Sequence, residues 1–121
     1  MKGDANGGRS VRWRAVTTLA ESSRHDCRSF DPEEASPADA VANGVDPLLG
    51  EYVRCCRDGI RLSAVERSLL EGALNDWLRA YATARGLPGF EGTAFSVHEL
   101  AIEYARAGDT AEAVERLFRG R

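Results

Sequence analysis

Lysine is almost missing from this chain. Lys2 is the only one, and the other fifteen of the sixteen basic residues are arginine. Together with abundant alanine, this marks a GC-rich coding genome and carries no information about activity. No stretch approaches the roughly 18 consecutive apolar residues that a membrane-crossing helix needs, so no span is expected. The opening Met1-Lys2-Gly3-Asp4-Ala5-Asn6-Gly7-Gly8 lacks the apolar core of a signal peptide, and the expectation is a cytoplasmic protein. Neither Gly-x-x-x-x-Gly-Lys-Ser/Thr nor Gly-x-Gly-x-x-Gly occurs, so no phosphate cradle is indicated.

Histidine and cysteine are equally sparse. The two histidines are His25 and His98. His98-Glu99 begins a His-Glu-x-x-His pattern, but Ile102 stands where the second ligand belongs. The three cysteines are Cys27, Cys55 and Cys56. None has the Cys-x₂₋₄-Cys spacing that lets two thiolates reach one zinc ion. An odd number without a secretion signal fits a reducing compartment. Cys–His nucleophilic catalysis needs one of these thiols beside an imidazole oriented by an acid, and nothing in the spacing requires that. The carboxylates are many but scattered, and no pair stands out as acid and base. No cofactor and no metal are expected, and the chain is not read as an enzyme.

What is present is ordinary apolar content, 43%, in 121 residues, the size of one domain. The net charge of −3 argues against a general nucleic-acid coat. Charge is uneven. Residues 1 to 28 hold six basic and three acidic side chains, whereas residues 29 to 46 hold five acidic and no basic ones. These blocks can pair with each other, or each can face a separate partner.

The strongest local signal runs from Ser63 to Gly86. Ser63-Ala64-Val65-Glu66 has capping-box spacing. Val65, Leu69, Leu70, Ala73, Leu74, Trp77, Leu78 and Tyr81 then recur at steps that place them on one helical face. Gly86 and Pro88 supply the stop. Upstream, residues 1 to 9 are glycine-rich and expected to be disordered. Residues 10 to 20 fit either a strand or a helix, and a helix is preferred because no second strand exists to pair with it. Residues 22 to 46 read as a long connection with at most one turn capped by Ser36. Asp46-Pro47 then reads as a cap and first position of a helix with Leu49, Tyr52, Val53 and Cys56 inward, ending at Gly59. The short link places it beside the Ser63 helix, antiparallel to it.

Ser96-Val97-His98-Glu99 repeats the capping signature, with Phe95 and Leu100 as a hydrophobic staple. Gly108 stops that helix and Asp109 caps a last one, whose inner face is Val114, Leu117 and Phe118. The connection is so short that the two must form a hairpin. This hairpin resembles a tetratricopeptide repeat unit at Leu100, Ala101, Tyr104, Gly108, Asp109, Ala113 and Leu117. An echo at Tyr81-Ala82-Thr83-Ala84-Arg85-Gly86 lies 23 residues earlier. That family repeats at about 34 and needs about three copies, so the chain is not read as a repeat array.

The expected architecture is an all-α bundle of four to five helices with a C-terminal helical hairpin and a flexible or partly ordered N-terminal region. Residues 1–45 form that region, and residues 46–121 form the bundle, with the core between 46 and 119. The expected function is a small non-enzymatic protein-binding module: a regulator, inhibitor, adaptor or assembly factor. Asp31, Glu33, Glu34 and Asp39 are the candidate contacts for a basic partner surface. Arg12, Trp13 and Arg14, flanked by Arg9, Arg24 and Arg28, are the candidates for an alternative in which an N-terminal arm touches nucleic-acid phosphates. The acidic start of the Ser63 helix disfavours a recognition helix. A thiol- or metal-dependent enzyme is the remaining alternative. A homodimer follows if Trp77, Phe90 or Phe118 is left uncovered by so small a core.

Overall fold

The computed structural model describes residues 2–90 and 92–120, with side chains from residue 11 onward. Every regular element among them is helical. They are α1 (Lys2–Ser29), α2 (Pro37–Ala40), a π-helical segment (Val41–Val45), α3 (Asp46–Arg57), α4 (Ala64–Arg85), α5 (Val97–Ala107) and α6 (Thr110–Arg119). The chain is an all-α bundle that ends in an α5–α6 hairpin.

α4 is the central helix, and local chemistry sets both of its ends. The Ser63 hydroxyl accepts from the Glu66 amide at 3.1 Å, and the Glu66 carboxylate accepts from the Ser63 amide at 2.8 Å. This reciprocal pair satisfies two of the donors that a helix start leaves orphaned. Gly86 takes φ 71°, a left-handed conformation in which its amide and that of Leu87 close the last turn. Leu70, Ala73, Leu74, Trp77, Leu78 and Tyr81 are buried as the periodicity requires. Val65 departs from it. Its side chain is 58% exposed, because Glu66, one position on, takes the inward direction.

That inward turn has a cause in α1. Arg12 Nε meets both Glu66 carboxylate oxygens, at 3.0 and 3.1 Å. About three turns later Arg24 meets Asp76 at 3.3 Å. The Trp77 indole N–H donates to the Ser23 hydroxyl at 2.8 Å and to its carbonyl at 3.1 Å. The Arg12–Glu66 and Ser23–Trp77 pairs are both 54 residues apart, so α1 and α4 run in the same direction and in register. Val16 and Ala20 fill the seam between those polar contacts.

Residues 22 to 29 therefore belong to a helix, which corrects the expectation of a connection starting at residue 22. α1 holds its helix through contacts made far along the chain, which local pattern does not reveal. The interior also reaches further back than residue 46. Val16, Ala20, Ala40, Val41 and Val45 are all buried, so the core is not confined to residues 46 to 119. The principal cover of α4 comes from α1, α2 and the π segment rather than from an antiparallel α3.

α3 opens at Asp46 with Pro47 in its first turn, as expected, but Asp46 is not a side-chain cap. Helical structure starts at Pro37, where Ser36 and Asp39 form a capping box, and it continues through the π segment into α3. In the π segment the Asp46 amide donates to the Val41 carbonyl. The wider turn accommodates Pro47, which has no amide to donate and whose ring would crowd a regular α turn. Asp46 instead accepts from the Thr110 hydroxyl at 2.7 Å, tying α3 to α6. With α3 entered this way, its buried face is Leu48, Leu49, Tyr52 and Cys55. Cys56, expected inward, is exposed.

Gly44 sits in the π segment directly against the Trp77 ring, with no room for a Cβ. Phe30 meets the same ring edge-on at 5.2 Å between centroids. One turn further along α4, Tyr81 joins Phe90, Phe95 and Phe118 in an aromatic cluster. Trp77 and Phe118 are thus buried, and neither is the uncovered aromatic that a homodimer seam was expected to use. In the hairpin, Gly108 at φ 74° ends α5, and the Asp109 carboxylate accepts from the Glu112 amide at 2.9 Å to start α6.

Candidate functional site

The candidate residues of the N-terminal arm are divided by the fold. Arg12 points inward and is committed to Glu66, while Trp13 and Arg14 remain at the surface. The acidic candidates Asp31, Glu33, Glu34 and Asp39 are all exposed. Asp31 accepts from the Glu33 amide at 3.0 Å, which makes a tight turn, and Asp39 accepts from the Ser36 amide at 3.2 Å. Two of the four therefore shape the backbone. Among the described residues no ion pair joins this acidic segment to α1. Arg12 and Arg24 pair with α4 instead.

A concavity lies elsewhere, where the end of α3, the link to α4 and the start of α5 meet. It is an open groove of about 560 Å³ lined by Tyr52, Cys55, Cys56, Gly59, Ile60, Arg61, Leu62, Arg67 and His98. Local chemistry builds each wall. Gly59, at φ 71°, lets the chain leave α3, and the Ile60 amide returns to the Cys55 carbonyl at 2.8 Å. The link then runs along the open side until Ser63 starts α4. On the opposite wall, the Ser96 hydroxyl accepts from the His98 and Glu99 amides, which opens α5 and fixes His98 in its first turn. Glu71 accepts from the Val97 amide at 2.9 Å, and Asn75 exchanges two hydrogen bonds with the Phe95 backbone. These contacts hold the α5 start against α4.

Within the groove, the Tyr52 hydroxyl lies 2.8 Å from His98 Nδ1. Burial, and after it the neighbouring Cys56 thiol, raises the Tyr52 phenol above its ordinary value of 10.0. Which of Tyr52 and His98 donates depends on the imidazole tautomer. Burial, and then the Glu51 carboxylate, pushes the Cys55 thiol above 9.0. Its sulfur lies 3.6 Å from Glu51 Oε2. Such a thiol is a poor nucleophile. Cys27, half-buried in α1, is raised in the same way by burial and by Asp76. Cys56 and His98 do come to one groove, but no carboxylate is among the groove's lining residues to orient the imidazole. Among the described residues, no three His, Cys, Asp or Glu side chains converge as metal ligands. No described helix is long and apolar enough to cross a membrane.

A family comparison spans nearly all of this architecture, from the described start of α1's side chains into α6. The chain belongs to the family described as Domain of unknown function (DUF8055). The match covers residues 10–116. It therefore includes the α1–α4 seam and every lining residue of the groove. No curated protein and no solved structure matches the chain.

The groove was not legible as a site from the sequence. Tyr52 read as a core residue and His98 as a surface one, and a hydrogen bond across 46 residues leaves no local signature. The one available signal was Ile60-Arg61-Leu62, a link whose two aliphatic residues are too apolar for a free loop and which serves no helix face.

Proposed function

We propose that this member of the DUF8055 family is a non-enzymatic protein-binding module, acting as a regulator, inhibitor, adaptor or assembly factor, and that the groove at the α3–α4 link is its contact surface. One observation carries the reading. The groove joins aliphatic and aromatic walls from Ile60, Leu62 and Tyr52 to the cationic side chains Arg61 and Arg67, with no carboxylate in its lining. Apolar area flanked by a few directional polar groups is the ordinary composition of a recognition site. The thiol–imidazole alternative has weaker support, because His98 Nδ1 is engaged by a phenol rather than an acid. The nucleic-acid alternative loses Arg12 to Glu66.

Co-purification from the cells that make the protein tests this reading. A tagged wild-type chain should enrich one specific protein, and the Arg61→Glu/Arg67→Glu variant should lose it while keeping its helical circular dichroism. Equal recovery by both chains, or no enriched protein with either, would overturn it.

A further inference from the structure

The cationic side chains of the groove are only weakly matched within the fold, and that selects a ligand. Arg61 is exposed and has no carboxylate partner among the described residues. Arg67 reaches only Glu71, at 3.9 Å, and the oxygen it approaches is the one that already accepts from the Val97 amide at 2.9 Å. Most other arginines of the described surface are matched within the fold: Arg24, Arg54, Arg79, Arg85, Arg106, Arg116 and Arg119 all lie near Asp or Glu. In a chain with net charge −3, a concavity with two weakly neutralised guanidinium groups and no acid is a local inversion of sign.

The start of α5 is not the anion-binding element. Its first amides are taken, Val97 by Glu71 and His98 and Glu99 by Ser96. An anion in this groove is therefore held by side chains, and the planar guanidinium fork suits a carboxylate held by two parallel hydrogen bonds. Beside the arginines, Ile60, Leu62 and Tyr52 offer apolar surface that a phosphodiester backbone would leave unused. The exposed acidic segment at Asp31, Glu33 and Glu34 adds repulsion for any long polyanion.

From this, and resting on the protein-binding reading above, we infer that the groove takes a short acidic segment of a partner protein, with a Glu or Asp carboxylate between Arg61 and Arg67 and a neighbouring aliphatic side chain against Ile60, Leu62 and Tyr52.

Selection from a displayed library of random short peptides on the immobilised wild-type chain tests the ligand class. Sequences carrying Asp or Glu next to Leu, Ile or Val should be enriched, and enrichment should vanish on Arg61→Glu/Arg67→Glu. One recovered peptide, labelled for fluorescence anisotropy, should bind about tenfold more weakly when its acids become Asn or Gln, the equivalent of about 1.4 kcal/mol. Its affinity should fall with added salt. Arg61→Lys, which keeps the charge and loses the fork, should fall between wild type and Arg61→Ala. Recovery of basic or uncharged sequences, equal recovery on the charge-reversed chain, no recovery at all, or displacement of the peptide by single-stranded DNA would each overturn the acidic-segment inference. If the co-purified partner is retained by wild type and lost by charge reversal while peptide selection fails, the ligand class falls and the protein-binding reading stands. If selection succeeds and no partner is enriched, the reading of biological role falls instead.

Discussion

Among the described residues, Glu66 is the one charged side chain that the fold takes almost wholly out of water, at 2% exposure. Burial alone would raise its carboxyl. The Ser63 amide and the Arg12 guanidinium outweigh that and hold it below its ordinary value of 4.5. A carboxyl whose pKa is lower folded than unfolded adds stability above the unfolded value and loses it as pH falls through the folded one. Thermal melts of the wild type should therefore weaken as pH drops below about 4.5, where Glu66 is one contributor among the carboxylates. Glu66→Gln should be less stable by about 2 kcal/mol near neutrality and should approach the wild type in acid, since its own contact does not titrate. A constant difference across pH would contradict the assignment. Gly44 makes a steric claim. A methyl group there meets the Trp77 ring, so Gly44→Ala should cost about 1–3 kcal/mol in urea unfolding and alter the near-ultraviolet dichroism of Trp77. Unchanged stability would mean that the two do not touch. The thiols differ as well. In native protein, alkylation followed by mass spectrometry should modify exposed Cys56 well before buried Cys55.

At the scale of elements, what could be read from the chain and what could not divide by distance along it. The caps of α4, α5 and α6 are visible because Ser63, Ser96 and Asp109 act on amides within three residues. Asp109→Ala should accordingly cost about 1 kcal/mol, measured by chemical denaturation, and should loosen hydrogen exchange first in α6. Loss of no stability would remove the cap from the account. The turn capped by Ser36 was legible in the same way, whereas α1 beyond residue 20 and the helical continuation through Val41–Val45 were missed for the opposite reason. Ser23 finds its partner in Trp77, and the π segment exists because Gly44 fits beneath that ring. Neither relation is written in nearby residues. Pro47 was read in its place, in the first turn of α3, but nothing nearby shows that a π turn leads into it. The inward assignment of Cys56 missed by one position, since Cys55 is buried and Cys56 exposed. The acidic and arginine candidates were chosen by charge density along the chain, whereas the groove is marked by Arg61 and Arg67, which only the folded chain brings to one concavity.

For the whole molecule, the arrangement separates two regions of unlike character. α1 lies along α4 with Arg12 and Arg24 spent on Glu66 and Asp76, and the acidic segment before α2 stays exposed. The groove at the α3–α4 link faces outward with Arg61 unmatched. Stability and recognition thus draw on different residues, so reversing the groove charges should leave the melting transition within a few degrees of wild type. The sharpest test of the protein-binding account is site-specific photo-crosslinking in the cells that make the protein, comparing a probe at Leu62 in the groove with one at exposed Ala111 on α6. The account predicts one discrete protein adduct from position 62, abolished by Arg61→Glu/Arg67→Glu, and none of that mass from position 111. Equal adducts from both positions, or an adduct at 62 that is indifferent to the arginines, would contradict it.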